Sequence, residues 1–205
     1  MENVEGNVRV REAVYKPSTI HIMTAAVWAG IIAVLQIISI LGFSISAVIL
    51  SLSIAVSLYA VAGLWFGVWG ILGSCVGMII GNSIGGLPVS MVLLFQLATI
   101  FEIAVPMLAF RYFAADPKLR DLRSWVIWIL SASVIASGIS SIFSAWTVIL
   151  GQAAPEFWLY AILPGWFGSS AIGRAVLGGL ALVVLTPFIQ RFRGYIPNEK
   201  DRWIA

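Results

Sequence analysis

The sequence predicts an all-α, polytopic membrane protein with six transmembrane helices. Three observations lead to this fold class. The chain is 60% hydrophobic and only 10% charged, whereas soluble domains contain about 45–50% apolar and about 25% charged residues. Apolar runs of about twenty residues, the length that crosses a bilayer as a helix, recur along the chain. The basic residues fall in clusters between these runs, which is typical of loops on the cytoplasmic side.

The lengths of the apolar runs and the residues that break them define the spans. We predict them at about residues 20–42, 46–62, 64–83, 89–113, 124–150 and 169–190. The second and third spans are divided at Gly63–Gly67, because the run from Phe43 to Gly86 carries no charge and is too long for one helix. A cytoplasmic N-terminal segment (1–19) and a cytoplasmic C-terminal tail (191–205) then flank a transmembrane domain at 20–190.

The basic residues support an even number of spans. They lie before the first span (Arg9, Arg11, Lys16), between the fourth and fifth (Arg111, Lys118, Arg120, Arg123) and after the sixth (Arg191, Arg193, Lys200, Arg202). Six spans with both termini in the cytoplasm place all three clusters inside, as the positive-inside rule requires. Arg174 is the one exception. We therefore predict a multi-pass protein of the cell (plasma) membrane.

The sequence lacks the residues of the common enzymatic centres. A GxxxxGK[ST] phosphate loop is absent. His21 and Cys75 are the single histidine and the single cysteine, so a Ser-His-Asp set and a zinc or haem site built from His and Cys are not expected. We predict a protein that is not an enzyme, that needs no cofactor or metal, and that does not bind nucleic acid.

Two stripes of small residues lie in the predicted spans. In "GILGSCVGMIIGNSIGGLP", residues 70–88, glycines stand at positions 73, 77, 81 and 85. Ala25, Ala29 and Ala33 form a second stripe in the first span. Small residues four apart make a smooth helix face that another helix can approach closely. Each stripe is therefore either internal packing or a docking face for the helices of a partner.

Glu102 lies near the middle of the fourth span. A carboxylate at that depth is costly and is by default a functional candidate. Pro106 follows four residues later and cannot donate to the carbonyl of residue 102, so an acidic side chain and a freed carbonyl lie together. They can receive a cation, a proton or a ligand amine. The alternative is that Glu102 is protonated, or paired with Arg174, and only fixes the register of the helices.

Several polar and aromatic residues map to the outer third of the predicted bundle. They are Asn82, Gln152, Glu156, Trp158, Tyr160, Trp166 and Arg174. Together they can line an outward-facing ligand pocket, in which Arg174 holds a carboxylate or phosphate; alternatively Arg174 extends to lipid headgroups. The aromatic stretch 151–170 is either a membrane anchor or a lid. The other tryptophans are predicted near the cytoplasmic boundary as belt residues: Trp28, Trp65, Trp69, Trp125, Trp128 and Trp203.

The chain resembles the substrate-binding (S) components of energy-coupling-factor (ECF) transporters. The resemblance rests on "AVWAGIIA" in the first span, "GLWFGVWGILGSCVGMIIGN" in the third, the basic fourth-to-fifth loop and the aromatic fifth loop. It implies six helices with both termini inside. It also implies that the alanine stripe docks a transmembrane coupling subunit and that Asn82 contacts the ligand.

If the resemblance holds, the protein captures a small, vitamin-like nutrient from outside the cell. A coupling subunit and two ATPases would then drive its uptake, so that ATP is hydrolysed by the partners alone. Two other classes stay open: a membrane-embedded ligand-sensing domain, and a non-catalytic structural subunit of a larger membrane complex.

Overall fold

The computed structural model describes residues 19–46, 49–50 and 53–196, which form six helices and one short hairpin. In chain order the elements are α1 (Thr19–Phe43), β1 (Ser44–Ser46), β2 (Ile49–Leu50), α2 (Ile54–Phe66), α3 (Val68–Ile84), α4 (Val89–Tyr112), α5 (Leu122–Ile149) and α6 (Pro155–Ile189). Helices α5 and α6 contain π-helical turns at Ile129–Ala136, Trp158–Ile162 and Arg174–Gly178. The predicted N-terminal segment lies outside the described residues except for Thr19, and the predicted tail is described only to Ile196.

The helices have the lengths and surfaces of a membrane protein. Four of those described, α1, α4, α5 and α6, are long and apolar enough to cross a bilayer. Large apolar side chains are exposed on each of them, among them Val27, Leu93, Leu130 and Leu180. An apolar exterior of this extent suits lipid rather than water. Helices α2 and α3 have 13 and 17 residues, so at 1.5 Å per residue they are shorter than the hydrocarbon core of about 30 Å.

The predicted break at Gly63–Gly67 is confirmed as a break between two helices, α2 and α3, but the predicted start of the second helix is wrong. Gly67 separates α2 from α3 with φ 57° and ψ −134°, a conformation that side chains disfavour and glycine accepts. The second helix begins at Ile54 rather than at Ser46, because residues 44–46 pair antiparallel with residues 49–50. Ser53 then caps α2 by accepting from the backbone N–H of Val56 at 3.2 Å.

The predicted start of the sixth span is also wrong. The sequence predicts a loop at 151–170, yet α6 begins at Pro155 and continues to Ile189. Pro155 occupies the first turn of the helix, where its missing N–H costs no hydrogen bond. The aromatic residues of this stretch are therefore held on a helix, and only its first residues form the connection from α5.

The two stripes of small residues pack against each other. A Cβ atom on Gly73 would lie 2.6 Å from the carbonyl oxygen of Ala25, and one on Gly77 would lie 2.6 Å from that of Ala29. Gly81 faces Ala33 in the same way, with the corresponding distance 3.1 Å. The backbones of α1 and α3 thus approach as closely as glycine permits. Of the two interpretations left open, the structure supports internal packing, because α3 covers the alanine stripe.

Six tryptophans are predicted as belt residues near the cytoplasmic boundary, and the prediction is wrong for three of them. Trp28, Trp65 and Trp128 are buried in the core, and each indole N–H has an acceptor. Trp28 donates to the hydroxyl of Ser74 at 2.9 Å, and Trp65 donates to that of Thr186 at 3.0 Å. A buried indole needs such a partner, so these rings fix the helices to one another. Trp69 and Trp125 are partly buried beside this core, and Trp203 lies outside the described residues.

Candidate functional site

A buried ion pair joins α4 and α6 at the middle of the bundle, and a tyrosine hydroxyl from α2 contacts it. Glu102 lies near the centre of α4 and is 2% exposed, and Arg174, on α6, is fully buried. Nη2 of Arg174 donates to Oε1 of Glu102. The hydroxyl of Tyr59, on α2, donates to the other oxygen, Oε2. The interpretation that Arg174 extends to the lipid headgroups is therefore wrong, and the alternative pairing of Glu102 with Arg174 is confirmed.

Helix α5 supplies the remaining partners of Arg174. Its Nη1 donates to the hydroxyl of Ser137 at 2.7 Å and to the carbonyl oxygen of Ala132 at 3.3 Å. Its Nε has no hydrogen-bond partner among the residues that the structure describes. A buried donor left without a partner carries a desolvation cost of about 1–3 kcal/mol. The network therefore ties α2, α4, α5 and α6 together and still leaves one N–H of the guanidinium unsatisfied.

The positions of these groups depend on irregular helix geometry. Arg174 begins one π-helical turn of α6, and Ala132 lies within the π-helical stretch of α5. The indole of Trp128 donates to the carbonyl oxygen of Arg174 at 3.1 Å. A Cβ on Gly178 would lie 2.6 Å from this indole, so the glycine provides the space that the ring needs. Such π-helical turns occur frequently at functional sites.

One face of α5 is lined with buried hydroxyl groups. The buried residues of this face are Ser133, Ser137, Ser140, Ser141, Ser144 and Thr147. Most of these hydroxyls donate to a carbonyl of their own helix, as Ser140 does to Ser137 at 3.2 Å. Their oxygens can therefore accept from other groups. The oxygen of Ser137 accepts from Arg174, and that of Ser144 accepts from the indole of Trp158 at 2.8 Å. This hydroxyl face connects the ion pair with the first turns of α6.

Of the predicted outer-pocket residues, the structure places Arg174 at this centre and two tryptophans against α5 and α4. Trp158 bonds to Ser144 on the hydroxyl face of α5, and Trp166 packs edge-to-face on Phe95 of α4 with ring centroids 5.0 Å apart. Three other predicted residues are exposed at or near the start of α6: Gln152, Glu156 and Tyr160. They do not contact Arg174 in the described structure, and their role in ligand binding stays a prediction.

Asn82 belongs to a second, separate polar cluster. It is buried, and its side-chain oxygen accepts from Nε2 of Gln36 at 2.7 Å. Oε1 of Gln36 in turn accepts from the hydroxyl of Ser53 at 3.4 Å. The cluster therefore joins α1, α3 and the cap of α2. This accounts for the burial of Asn82 by structural hydrogen bonds, and a ligand contact there stays a prediction.

Sequence reasoning missed Tyr59 and Ser137, both of which contact the ion pair. Ser137 has a recognisable signal, because it lies in a series of hydroxyl residues spaced three and four apart in the fifth span. Tyr59 has none, since a single tyrosine in an apolar run does not reveal which residue its hydroxyl meets. Compared with protein families, with curated proteins and with solved structures, the chain matches none.

Proposed function

We propose that the chain is a multi-pass protein of the cell membrane that binds a small molecule at the Tyr59–Glu102–Arg174 centre. In its more specific form, the proposal is the substrate-binding component of an ECF-type transporter, which takes up a vitamin-like nutrient. The observation that carries the proposal is the fully buried Glu102–Arg174 pair. Ionisable residues within membrane spans are costly and mark ligand or ion sites.

The energetics of the pair favour a functional role. A buried ion pair stabilises a fold no better, and often less well, than apolar residues of the same volume. An apolar bundle would therefore gain nothing from Glu102 and Arg174 if packing were their only task. The unpartnered Nε of Arg174 makes the purely structural explanation still more costly. A ligand that accepts from this N–H would remove that cost.

The proposed topology has six crossings with both termini in the cytoplasm. Lys118 and Arg120 lie in the connection between α4 and α5, and Arg191 and Arg193 follow α6. An even number of crossings puts these residues on one side, in agreement with the positive-inside rule. Because the sequence has no phosphate loop, uptake would need ATPases and a coupling subunit as partners. The alanine stripe is covered by α3, so a coupling subunit would contact another face of α1.

Native mass spectrometry of the gently purified protein tests the proposal. We expect the wild-type protein to retain a small molecule, together with partner subunits if it is an ECF component. The control is the double variant Glu102→Gln/Arg174→Met, which removes both charges at similar volume. We expect this variant to fold and to lose the molecule. Retention of the same molecule by the double variant would place the site elsewhere.

The main competing function is that of a structural subunit. It is favoured by one observation. The partners of the ion pair all belong to this chain, and the hydrogen-bond network around the pair joins four helices. A tightly held complex that contains no small molecule, from wild type and double variant alike, would support this function and contradict ours.

A further inference from the structure

Arg174 presents a half-filled binding edge at the centre of the bundle. The Nε and Nη2 hydrogens of a guanidinium point the same way and match the two oxygens of a carboxylate. Glu102 meets only the Nη2 position, and Nε has no partner among the described residues. The hydroxyl of Tyr59 donates to the second oxygen of Glu102 and so competes with Nε for that oxygen. The contact between Glu102 and Arg174 is therefore monodentate, although the guanidinium could form a bidentate one.

From this geometry we infer that the ligand is a small amphoteric molecule that carries a carboxylate and a protonated amine, as amino acids do. The inference rests on the proposed function and names the ligand class of the same site. The carboxylate of the ligand would fill the Nε–Nη2 edge of Arg174. Its ammonium group would then neutralise Glu102, which remains bonded to Tyr59.

The charges of the centre disfavour the simpler ligand classes. A plain anion at Arg174 would lie beside the carboxylate of Glu102, and a plain cation at Glu102 would lie beside the guanidinium. Like charges at such distances oppose binding, and burying an unpaired charge is costly. A molecule of zero net charge with both groups satisfies the two residues and keeps the site neutral.

The hydroxyl face of α5 suits an ammonium group on its way to this centre. Its residues are small, and the hydroxyl hydrogens of Ser140, Ser141 and Ser144 already bond to helix carbonyls. Their oxygens can therefore accept from an incoming N–H. Ser133, on the same helix, is also buried with an unpartnered hydroxyl in the described structure. Polar partners of this kind replace the water that a charged group loses on entering an apolar interior.

Thermal unfolding of the protein in nanodiscs tests the ligand class. The probes are the common amino acids, each compared with the acid that lacks its amine and the amine that lacks its carboxylate. We expect at least one amino acid, at about 100 times its dissociation constant, to raise the unfolding midpoint by roughly 5–10 °C. The matched acid and the matched amine should each raise the unfolding midpoint by less than a quarter of the shift that the amino acid produces. The Glu102→Gln/Arg174→Met variant should not respond to any probe.

Tyr59→Phe provides a sharper test, because it does not change the charges. Without the hydroxyl, the second oxygen of Glu102 is free to accept from Nε of Arg174, and the ion pair becomes bidentate. We expect the affinity for the amino acid to fall about tenfold, the effect of losing roughly one hydrogen bond, while the ligand-free protein keeps its unfolding midpoint. A lower midpoint with unchanged affinity would show that Tyr59 only stabilises the fold and would contradict the half-filled edge.

The outcomes separate this inference from the proposed function. If an acid without an amine binds as well as the amino acid, the amphoteric class is wrong and the binding site stands. Native mass spectrometry can find another small molecule whose retention depends on Glu102 and Arg174. If it does so while no probe raises the unfolding midpoint, the amphoteric class is again wrong. If no probe acts and no molecule is retained, the proposed function fails together with the inference.

Discussion

Two of the helix interfaces in this bundle are held together by different means. The α1–α3 interface is formed by Ala25, Ala29 and Ala33 against the glycines of α3, with backbone atoms in direct contact. The interface among α4, α5 and α6 is formed by Glu102, Arg174 and the hydroxyl face of α5, across helices that contain π-helical turns. The first relies mainly on close backbone packing, with two neutral hydrogen bonds, from Trp28 to Ser74 and from Gln36 to Asn82. The second relies on charge and hydrogen bonds.

The difference indicates which part of the molecule can change state. Backbones in van der Waals contact leave no space for a ligand and gain nothing from separating. Hydrogen bonds between charged side chains can be exchanged for hydrogen bonds to a ligand at little net cost, provided that every group finds a new partner. If the proposed function holds, we therefore expect the α1–α3 interface to be the rigid part of the protein and the α4–α5–α6 interface to be the part that responds to the ligand.

The largest effect is expected from breaking the ion pair. Arg174→Met removes the guanidinium and leaves Glu102 buried without its counter-charge. We expect the free energy of unfolding to fall by about 3–5 kcal/mol, measured by denaturant titration in mixed micelles. The double variant Glu102→Gln/Arg174→Met should recover most of this loss, because neither charge remains. A double variant as unstable as the single one would show that the pair contributes to packing rather than to charge balance.

The next effect tests the rigid interface. Gly77→Ala places a Cβ 2.6 Å from the carbonyl oxygen of Ala29 and 2.8 Å from Cβ of Ile32. We expect this overpacking to lower the free energy of unfolding by about 1–3 kcal/mol. Gly30→Ala is the matched control, since a Cβ at Gly30 of α1 meets nothing within 4 Å. That variant should gain up to about 1 kcal/mol from helix propensity, and equal effects of the two substitutions would refute the tight interface.

Much of this comparison could be predicted from sequence, because lipid imposes simple rules on length and polarity. The apolar runs, the division at Gly67, the small stripes and the unusual Glu102 all follow from local composition. The burial of Trp65 and Trp128 does not, because in a bilayer both the inside and the outside of a helix are apolar. Hydropathy therefore cannot separate core residues from lipid-facing ones.

Two further features lay beyond local sequence rules. The helical start of α6 was missed because Pro155 and the glycines that follow resemble a loop, although a helix in lipid tolerates them. The contact between Glu102 and Arg174 joins residues 72 positions apart. Sequence reasoning left this pairing as one alternative, because only the arrangement of the helices decides between a pair and two separate groups.

A smaller effect is expected from the polar contact within the rigid interface. Asn82→Leu removes the acceptor of the Gln36 amide, and Gln36 keeps only its contact with Ser53. We expect a loss of about 1–2 kcal/mol in the free energy of unfolding. If Asn82 serves only the structure, ligand retention measured by native mass spectrometry should be unchanged in the folded variant. Loss of the ligand without loss of stability would move the binding site towards α1–α3 and reverse our assignment of the two interfaces.

The smallest effect concerns the connection between α4 and α5. Asp121 caps α5, and hydrogen bonds from the backbone N–H and the hydroxyl of Ser124 hold the pKa of its carboxyl below the usual value. Because the pKa is lower in the folded state, this stabilisation is complete above the unfolded pKa of about 3.9. It is lost as the pH falls through the folded pKa. Asp121→Asn should flatten the stability profile below about pH 4, measured by thermal unfolding, while Gly77→Ala should leave its shape unchanged. An unaltered acid limb in Asp121→Asn would show that the responsive side owes its acid sensitivity to groups other than this cap.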